Sequence, residues 1–370
     1  MIRLAVRNLL QNKTRLIVSV GGVGLALTLV FFFDAVFTGA TGRLTLYIDR
    51  SGADVWVSQE GVRTMHMSAS SLPASVTEEI QTVPGVDQTM PLLYSTAMIQ
   101  ANGDEYVAYI LGLPRDATFG GPWKIVDGSS KPGPGEVVID HSIAASAGLR
   151  VGDRVTVLGQ ELRIVGLTSG TSSLVNSLAF VTMDDFARAR GQKDVISFVL
   201  VKVEPGESAS QVATLISQSV DGVTVQTRQQ FAAEERTLVK DMSADIINIM
   251  NTAGFVTGLA VVALTIYTAT ISRRKEYGVL KAMGARNRSL YLVVLVQALI
   301  GATLGLLTGL AITLLVALMA PRFSESMVLT VSIASFLRVA IVSAVLALMA
   351  AVLPAAQLAR LEPVAIIRKG

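Results

Sequence analysis

Charged residues vanish from four long stretches of the chain and return in clusters between them. Eighteen uncharged residues separate Arg15 from Asp34, 27 separate Asp245 from Arg273, 33 separate Arg288 from Arg322, and 21 separate Arg338 from Arg360. About 20 apolar residues carry a helix across roughly 30 Å of hydrocarbon. The pattern therefore predicts spans over 16–41, 246–272, 290–320 and 334–356. Residues 42–245 carry strand and turn signals instead. Ala53–Val57 alternates like a strand, and Val76–Val83 has helical spacing that stops at Pro84-Gly85. Leu92–Gln100 and Glu105–Gly112 frame a hairpin around Ala101-Asn102-Gly103-Asp104. Glu136–Asp140, Asp153–Leu158 and Glu161–Val165 read as strands and 141–147 as a helix. Val212–Val220 is again helical and stops at Asp221-Gly222-Val223 before the strand Thr224–Thr227. This repeat of helix, Gly-Val and strand brackets an insert of two intertwined subdomains. Phe231–Asp245 predicts a helical stalk into the second span. The expected fold class is a polytopic α-helical membrane protein, four spans in a one-plus-three order, with a large α/β insert.

Composition supports that reading. Hydrophobic residues are 51% of the 370 and charged residues only 16%, with a mean hydropathy of +0.55. A soluble domain carries about 25% charged residues. Such a chain is also too apolar to be disordered. It has no cysteine, which excludes disulfides and thiolate chemistry.

The charges are sided. The segments 1–15, 273–289 and 357–370 together hold thirteen basic and two acidic residues, whereas 43–245 holds sixteen basic and 24 acidic. Lys and Arg accumulate in cytoplasmic loops. Both termini and the 273–289 loop are therefore expected inside, and the 42–245 domain and the 321–333 loop outside. The net +3 reflects this sidedness and gives no sign of nucleic-acid binding. A cleaved signal peptide is the competing reading of the first span, but its apolar run exceeds the usual 7–15-residue core. Ile2, Ala5, Val6, Leu9 and Leu10 recur at helical spacing beside Arg3 and Arg7. Residues 1–15 thus read as an amphipathic helix at the cytoplasmic interface or as a plain charged flank.

The opening Leu4-Ala5-Val6-Arg7-Asn8-Leu9-Leu10 with Asn12-Lys13-Thr14-Arg15 resembles that of bacterial permeases of the MacB/FtsX type. The run Arg273–Ala285, with its ordered Glu276-x-Gly278-x-x-Lys281-Ala282-x-Gly284, is similar to the most recognisable motif of that family. Pro354-Ala355-Ala356 with Leu361-Glu362-Pro363-Val364 and Ile367-Arg368 resembles its closing motif. Ser51–Ser58 and the chain length look closer to the smaller DevC and HrtB-like members. Tyr277 departs from the aliphatic residue more usual there.

The resemblance implies a half-permease that dimerises with itself and binds a dimer of an ABC ATPase on a separate chain. The ATPase-coupling element would comprise Glu276, Tyr277, Gly278, Lys281, Ala282 and Gly284. It also implies a bacterial cytoplasmic (inner) membrane location, among membrane lipids. ATP and magnesium would be held by the partner, and this chain would bind no cofactor. Consistently, the sequence contains no Gly-x-x-x-x-Gly-Lys-[Ser/Thr] phosphate loop, no Gly-x-Ser-x-Gly elbow and no His-Glu-x-x-His pair. The chain is expected not to be an enzyme. Within the family three roles stay open. One is export of an amphipathic substrate such as a lipid, glycolipid, peptide, haem or drug, with or without a periplasmic adaptor and outer-membrane channel. The second is an FtsX-like mechanotransmitter acting on a cell-wall hydrolase, and the third is a membrane sensor of antimicrobial compounds.

Other candidates remain. Met65-His66-Met67 joins soft thioethers to an imidazole, a weak candidate metal site for copper or haem iron. Methionines packed in a loop or facing a substrate are the commoner reading. Gly254 and Gly258, and Gly301, Gly305 and Gly309, recur every fourth residue, spacing that suits close helix packing or dimer contact. Asp34 and Arg338 each fall near the outer edge of a span, either paired or snorkelling separately to the interface. Glu78-Glu79, Asp184-Asp185 and Glu234-Glu235 read as solvated surface.

Overall fold

The computed structural model describes residues 13–66, 68–172, 177–272, 274–283, 285, 287–323 and 329–359. The chain opens with helices α1 (Lys13–Leu44) and α2 (Leu46–Arg50). There follow β1 (Val55–Gln59), β2 (Leu72–Pro73), α3 (Val76–Gln81), β3 (Val86–Ala101), β4 (Asp104–Leu113), β5 (Ile125–Gly128) and β6 (Glu136–Asp140). Next come α4 (His141–Ala147), β7 (Arg154–Val157), β8 (Gln160–Thr168), β9 (Ser177–Thr182), α5 (Met183–Arg190), β10 (Val195–Ile196), β11 (Phe198–Val203), α6 (Ala209–Ser219) and β12 (Val223–Thr227). The chain then runs through α7 (Arg228–Ile271), α8 (Arg274–Ala282), α9 (Asn287–Phe323) and α10 (Ile333–Ala359). It divides into two compact units, one of Met1–Gly39, Ser243–Pro321 and Leu329–Gly370, the other of Ala40–Met242 and Arg322–Val328.

The α/β unit is organised around β3. Its first half, Val86–Leu92, pairs with β11, and its second half, Leu93–Ala101, pairs with β4. On the first side the strand order is β12-β1-β11-β3, every neighbour antiparallel. Thus β1 and β3 run parallel with β11 between them, and β11 and β12 run parallel with β1 between them. This is a pair of interlocked split β-α-β units, the structural form of the repeated helix, Gly-Val and strand. Strand alternation sorts β1 onto two cores. Val55 and Val57 pack with Ile80, Val212 and Ile216 of α3 and α6, whereas Trp56 packs with Phe198, Leu200 and Phe231 on the opposite face.

On the other side the ladder runs β3-β4-β9-β6-β8 and returns through β7, which pairs with both β8 and β3. Six strands thereby close into a small barrel, with β5 added along β8. Closure leaves these strands few open edges. The interior is filled by Ile99, Ile110, Val137, Ile139, Ile164 and Val181. The hairpin between β3 and β4 turns on Asn102 and Gly103, at φ of 51° and 91°, the left-handed pair that a two-residue hairpin requires. Strands β2, β5, β9, β10 and β11 and helix α5 lie outside the sequence expectation. Strand β9 is buried at every position, so its alternation between faces leaves no polar beat to read.

In the helical unit, among the described residues, three helices are long and apolar enough to cross a membrane: Val20–Leu44, Asn287–Ala320 and Ile333–Val352. A fourth apolar stretch, Thr252–Val261 within α7, is shorter. It lies inside the span expected over 246–272, which is free of charge and rich in Ile, Val, Leu and Ala. Val23, Leu27, Phe31, Val294, Leu346 and Ala350 form the inner core, while Leu25, Val256, Leu318 and Ile341 are exposed. Apolar side chains on both the inner and outer faces suit helices solvated by lipid.

The glycines divide by environment. A Cβ on Gly309 would sit 3.0 Å from the Thr28 backbone N and 3.1 Å from Gly24 O, and one on Gly305 would press into Val23. Cβ atoms on Gly254 and Gly258 would meet Val30 and Leu346 at 3.0 and 3.2 Å. A Cβ on Gly301 would meet nothing within 4 Å among the described residues, so this position of the stripe is not closely packed within the chain. Gly305→Leu is therefore expected to destabilise the bundle by about 1–3 kcal/mol through overpacking. Gly301→Ala is expected to leave it unchanged. Thermal inactivation of both variants in detergent checks the contrast.

Candidate functional site

Between α7 and α9 the chain makes one short helix, α8, built on an uneven wheel. Tyr277 is buried in the same cluster as Leu290, Val293 and Val294, and Leu280 and Ala285 pack against it. Gly278 is buried beside it. Glu276, Val279 (50% exposed), Ala282 and Met283 (71% exposed) point away. Residues 276, 279 and 283 follow the i, i+3, i+7 spacing of one helix face. Val279 on the helix and Met283 just past its end form an exposed apolar surface. Backbone closure from Ala285 N to Leu280 O (3.0 Å) ends the helix in a 6→1 bond. Of the motif residues, Tyr277 and Gly278 face the bundle and Lys281 is half-buried. Tyr277 thus lies on the anchored side of α8, where its aromatic ring is drawn into the apolar core. Gly284 lies outside the described residues, as do 1–12 of the N-terminal segment and 360–370 of the closing motif.

Asp34 and Arg338 approach within one chain, with Arg338 Nη2 3.0 Å from Asp34 Oδ1. Asp34 is 16% exposed, and its Oδ2 is buried with no hydrogen-bond partner among the described residues. Nearby, Thr330 N donates to Ala35 O at 3.1 Å. Removing the guanidinium would strand a poorly solvated carboxylate. Arg338→Asp or Asp34→Arg alone is therefore expected to cost on the order of 2–3 kcal/mol, and the double reversal is expected to recover most of it. Membrane expression level and melting temperature of the three variants check this.

The Met-His-Met segment behaves differently from a soft-metal loop. Met65 is 1% exposed, in the core with Trp56 and Phe198, and Met67 lies outside the described residues. His66 Nδ1 lies 2.6 Å from Oε1 of Glu235, whose Oε2 accepts the Met65 N–H at 2.7 Å. Among the described residues no group of three or more His, Cys, Asp or Glu gathers to hold a metal.

Glu235 and Asp185 overturn the solvated reading of two acidic pairs. Adjacent residues on a helix point about 100° apart, so one of each pair turns inward. Glu235, 0% exposed, shares the inner stripe of α7 with Phe231, four residues earlier. That i, i+4 spacing was the available signal. Glu234 and Arg236 stay nearer the surface, where Arg63 lies 3.6 Å from Glu234 and Arg236 lies 2.8 Å from Asp49.

Asp185 is buried at the start of α5. Burial alone would raise its carboxyl pKa, but hydrogen bonds from Thr182, the Gly135 N–H and Arg188, with the Arg188 charge, outweigh burial and hold it below the ordinary carboxylate range. A depressed folded-state pKa gives stability that is complete above the unfolded value of about 3.9. That stability is lost as pH falls through the lower folded value. Asp185→Asn is expected to lower the melting temperature at neutral pH, with the gap to wild type closing in acid. Melting curves from pH 7 to 3 check this.

Comparison with known proteins places these features in a family. The family profile described as the MacB-like periplasmic core domain matches residues 16–219, and that of the FtsX-like permease C-terminal region matches residues 248–363. An uncharacterised ABC transporter permease of Mycobacterium tuberculosis is 21% identical over 98% of both chains. Another, of Methanocaldococcus jannaschii, is 21% identical over 99% of this chain and 97% of its own. Among solved structures, the periplasmic region of MacB from Actinobacillus actinomycetemcomitans aligns with a TM-score of 0.39 at 14% identity, covering 50% of this chain and 93% of its own. The extracellular domain of YknZ from Gram-positive bacteria aligns at 0.38 and 12%, covering 47% and 99%. The first profile alone spans more than half of the chain, and the second takes up the helices beyond it. The chain belongs to the ABC transporter permeases of the MacB and FtsX type.

Proposed function

We propose that this permease is the non-catalytic half of an ATP-driven machine that crosses a bacterial cytoplasmic membrane four times, with both termini inside. The fourth crossing is the charge-free part of α7. Two copies of the chain bind two ABC ATPase subunits, which hold the ATP and magnesium. The carrying observation is the outward face of α8, where Glu276, Val279 and Met283 stand exposed while Tyr277 fixes the opposite face in the helical core. A helix anchored on one side and apolar on the other is suited to receive a push from a partner groove. Its movement reaches α7 and α9, the helices on either side of it in the chain.

In this reading the work delivered is export of an amphipathic substrate through motion of the α/β domain. The mechanotransmitter reading has support of its own. The first turns of α7 are tied to that domain by the Glu235 contacts to Met65 and His66 and by the Arg236–Asp49 ion pair. Such a rigid joint would transmit force without any cargo. Purifying the tagged chain from crosslinked native membranes tests the assembly. An ABC ATPase is expected in the sample, and its absence overturns the proposal. ATPase stimulation by amphipathic compounds in the reconstituted complex favours export, whereas stimulation only by a bound protein partner favours force transmission.

A further inference from the structure

A cleft of about 450 Å³ opens in the α/β unit between residues 65, 66 and 68–71, strand β3 and the end of α5. That is within the size range of small-molecule sites. Its walls are of two kinds. Leu93, Tyr94 and Phe186 supply apolar and aromatic surface, while Ser95, His66 and Arg190 supply polar groups. Arg190 is exposed and donates to Ser95 Oγ, which leaves further N–H groups of its five-donor fork for a ligand. No Asp or Glu lines the cleft among the described residues, so Arg190 gives it a positive character.

The His66 imidazole is built in rather than merely present. It is 8% exposed, its ring lies 4.4 Å from that of Tyr109, and the Tyr94 ring meets it edge-on at 6.0 Å. The fully buried Glu235 carboxylate takes Nδ1 from behind. A carboxylate that fixes one ring nitrogen orients the other. Nε2 is then the remaining polar atom of the ring. Tyr94 is itself held, its hydroxyl 3.2 Å from Thr96 Oγ1, and burial pushes its phenol pKa upward, so it stays a neutral aromatic wall.

We propose that this cleft binds a small aromatic acid, with the acid group on Arg190, the flat body against the Tyr94 ring, and a hydrogen-bonding substituent at His66. The site is independent of the α8 docking surface and of what the permease exports. A carboxylate satisfies the guanidinium in a fork-to-fork pair that a neutral amide cannot match. The chain has only two histidines, His66 and His141, so each ring can be followed by magnetic resonance in the full chain.

The test uses full-length protein labelled at histidine Cε1, in lipid nanodiscs, titrated with 6-hydroxy-2-naphthoate and separately with its neutral carboxamide. The acid is expected to shift the His66 resonance saturably and to leave His141 in place. Arg190→Gln, at an exposed helix end, is expected to weaken that binding about tenfold while the free-state His141 signal stays unchanged. Three results each overturn the proposal: no saturable His66 shift into the millimolar range, equal binding of acid and amide, or wild-type affinity in the Arg190→Gln protein.

Discussion

Placing aspartate at both Val279 and Met283 is expected to strip the ATPase partner from this permease while leaving the chain folded. The two side chains are 50% and 71% exposed, so the bundle around Tyr277 does not depend on them. A docked groove would desolvate both. Central apolar contacts of this kind contribute about 2 kcal/mol or more each. Two buried aspartates add a charge-burial penalty. The combined loss should weaken association on the order of 100-fold or more, given about 1.4 kcal/mol per decade. Co-purification and stimulated ATP hydrolysis should fall together, and the melting temperature should stay put. Val279→Ile with Met283→Leu, which keeps the surface apolar, should retain both activities. Tyr277→Ala should behave in the opposite way, lowering the melting temperature because it empties the inner face of α8. If the aspartate pair leaves the partner bound, α8 is not the docking surface.

The largest stability effect is expected at Trp56. Its indole is 1% exposed and stacks on Phe231 at 4.8 Å between centroids, with Tyr47 and Phe198 at its edges, 5.9 and 5.8 Å away. Trp56 lies on β1 and Phe231 on α7, so this cluster is where the split β-α-β sheet grips the long helix. Trp56→Ala removes the stacking and leaves a large void, an expected cost of about 3–5 kcal/mol. For a domain of this size that is a fall of roughly 6–20 °C in melting temperature. Trp56→Phe should be far milder. It keeps a ring against Phe231, and it removes an indole N–H that has no hydrogen-bond partner among the described residues. An unsatisfied buried donor costs about 1–3 kcal/mol, so losing it offsets much of the lost volume. Circular dichroism melts of the two variants check the contrast, and equal losses would show that volume alone decides.

Particular elements show why some of this was legible in the chain and some was not. The hairpin at Asn102-Gly103, the helix at 141–147 and the strand at 136–140 follow from local chemistry: a turn pair that accepts positive φ, an Asp140 side chain capping Ser142 N, and a β-branched run. The repeated helix, Gly-Val and strand was visible as a pattern, but its meaning depended on pairing. Only the ladder showed that β1 lies between β12 and β11, and that β3 serves both the split β-α-β sheet and the closed barrel. The α8 motif could be recognised as a string of residues, yet which of them face outward is a matter of phase. Tyr277 looked like one more motif position until the helical core claimed it.

The sequence by itself determined what depends on neighbours along the chain: the charge-free stretches, the sidedness of Lys and Arg, the turns and caps, and the motif order that marks the family. Tertiary structure alone decided which of two adjacent acids turns inward, so that Glu235 reaches His66 across 169 residues while Glu234 stays near the surface. It likewise decided that Gly305 and Gly309 lie against the first helix while a Cβ on Gly301 would meet no described residue, and that Asp34 meets Arg338. The physical reason is the same in each case. Hydropathy and hydrogen-bonding capacity belong to a residue, but burial, partner and phase belong to the surface it is packed against, and that surface comes from distant parts of the chain.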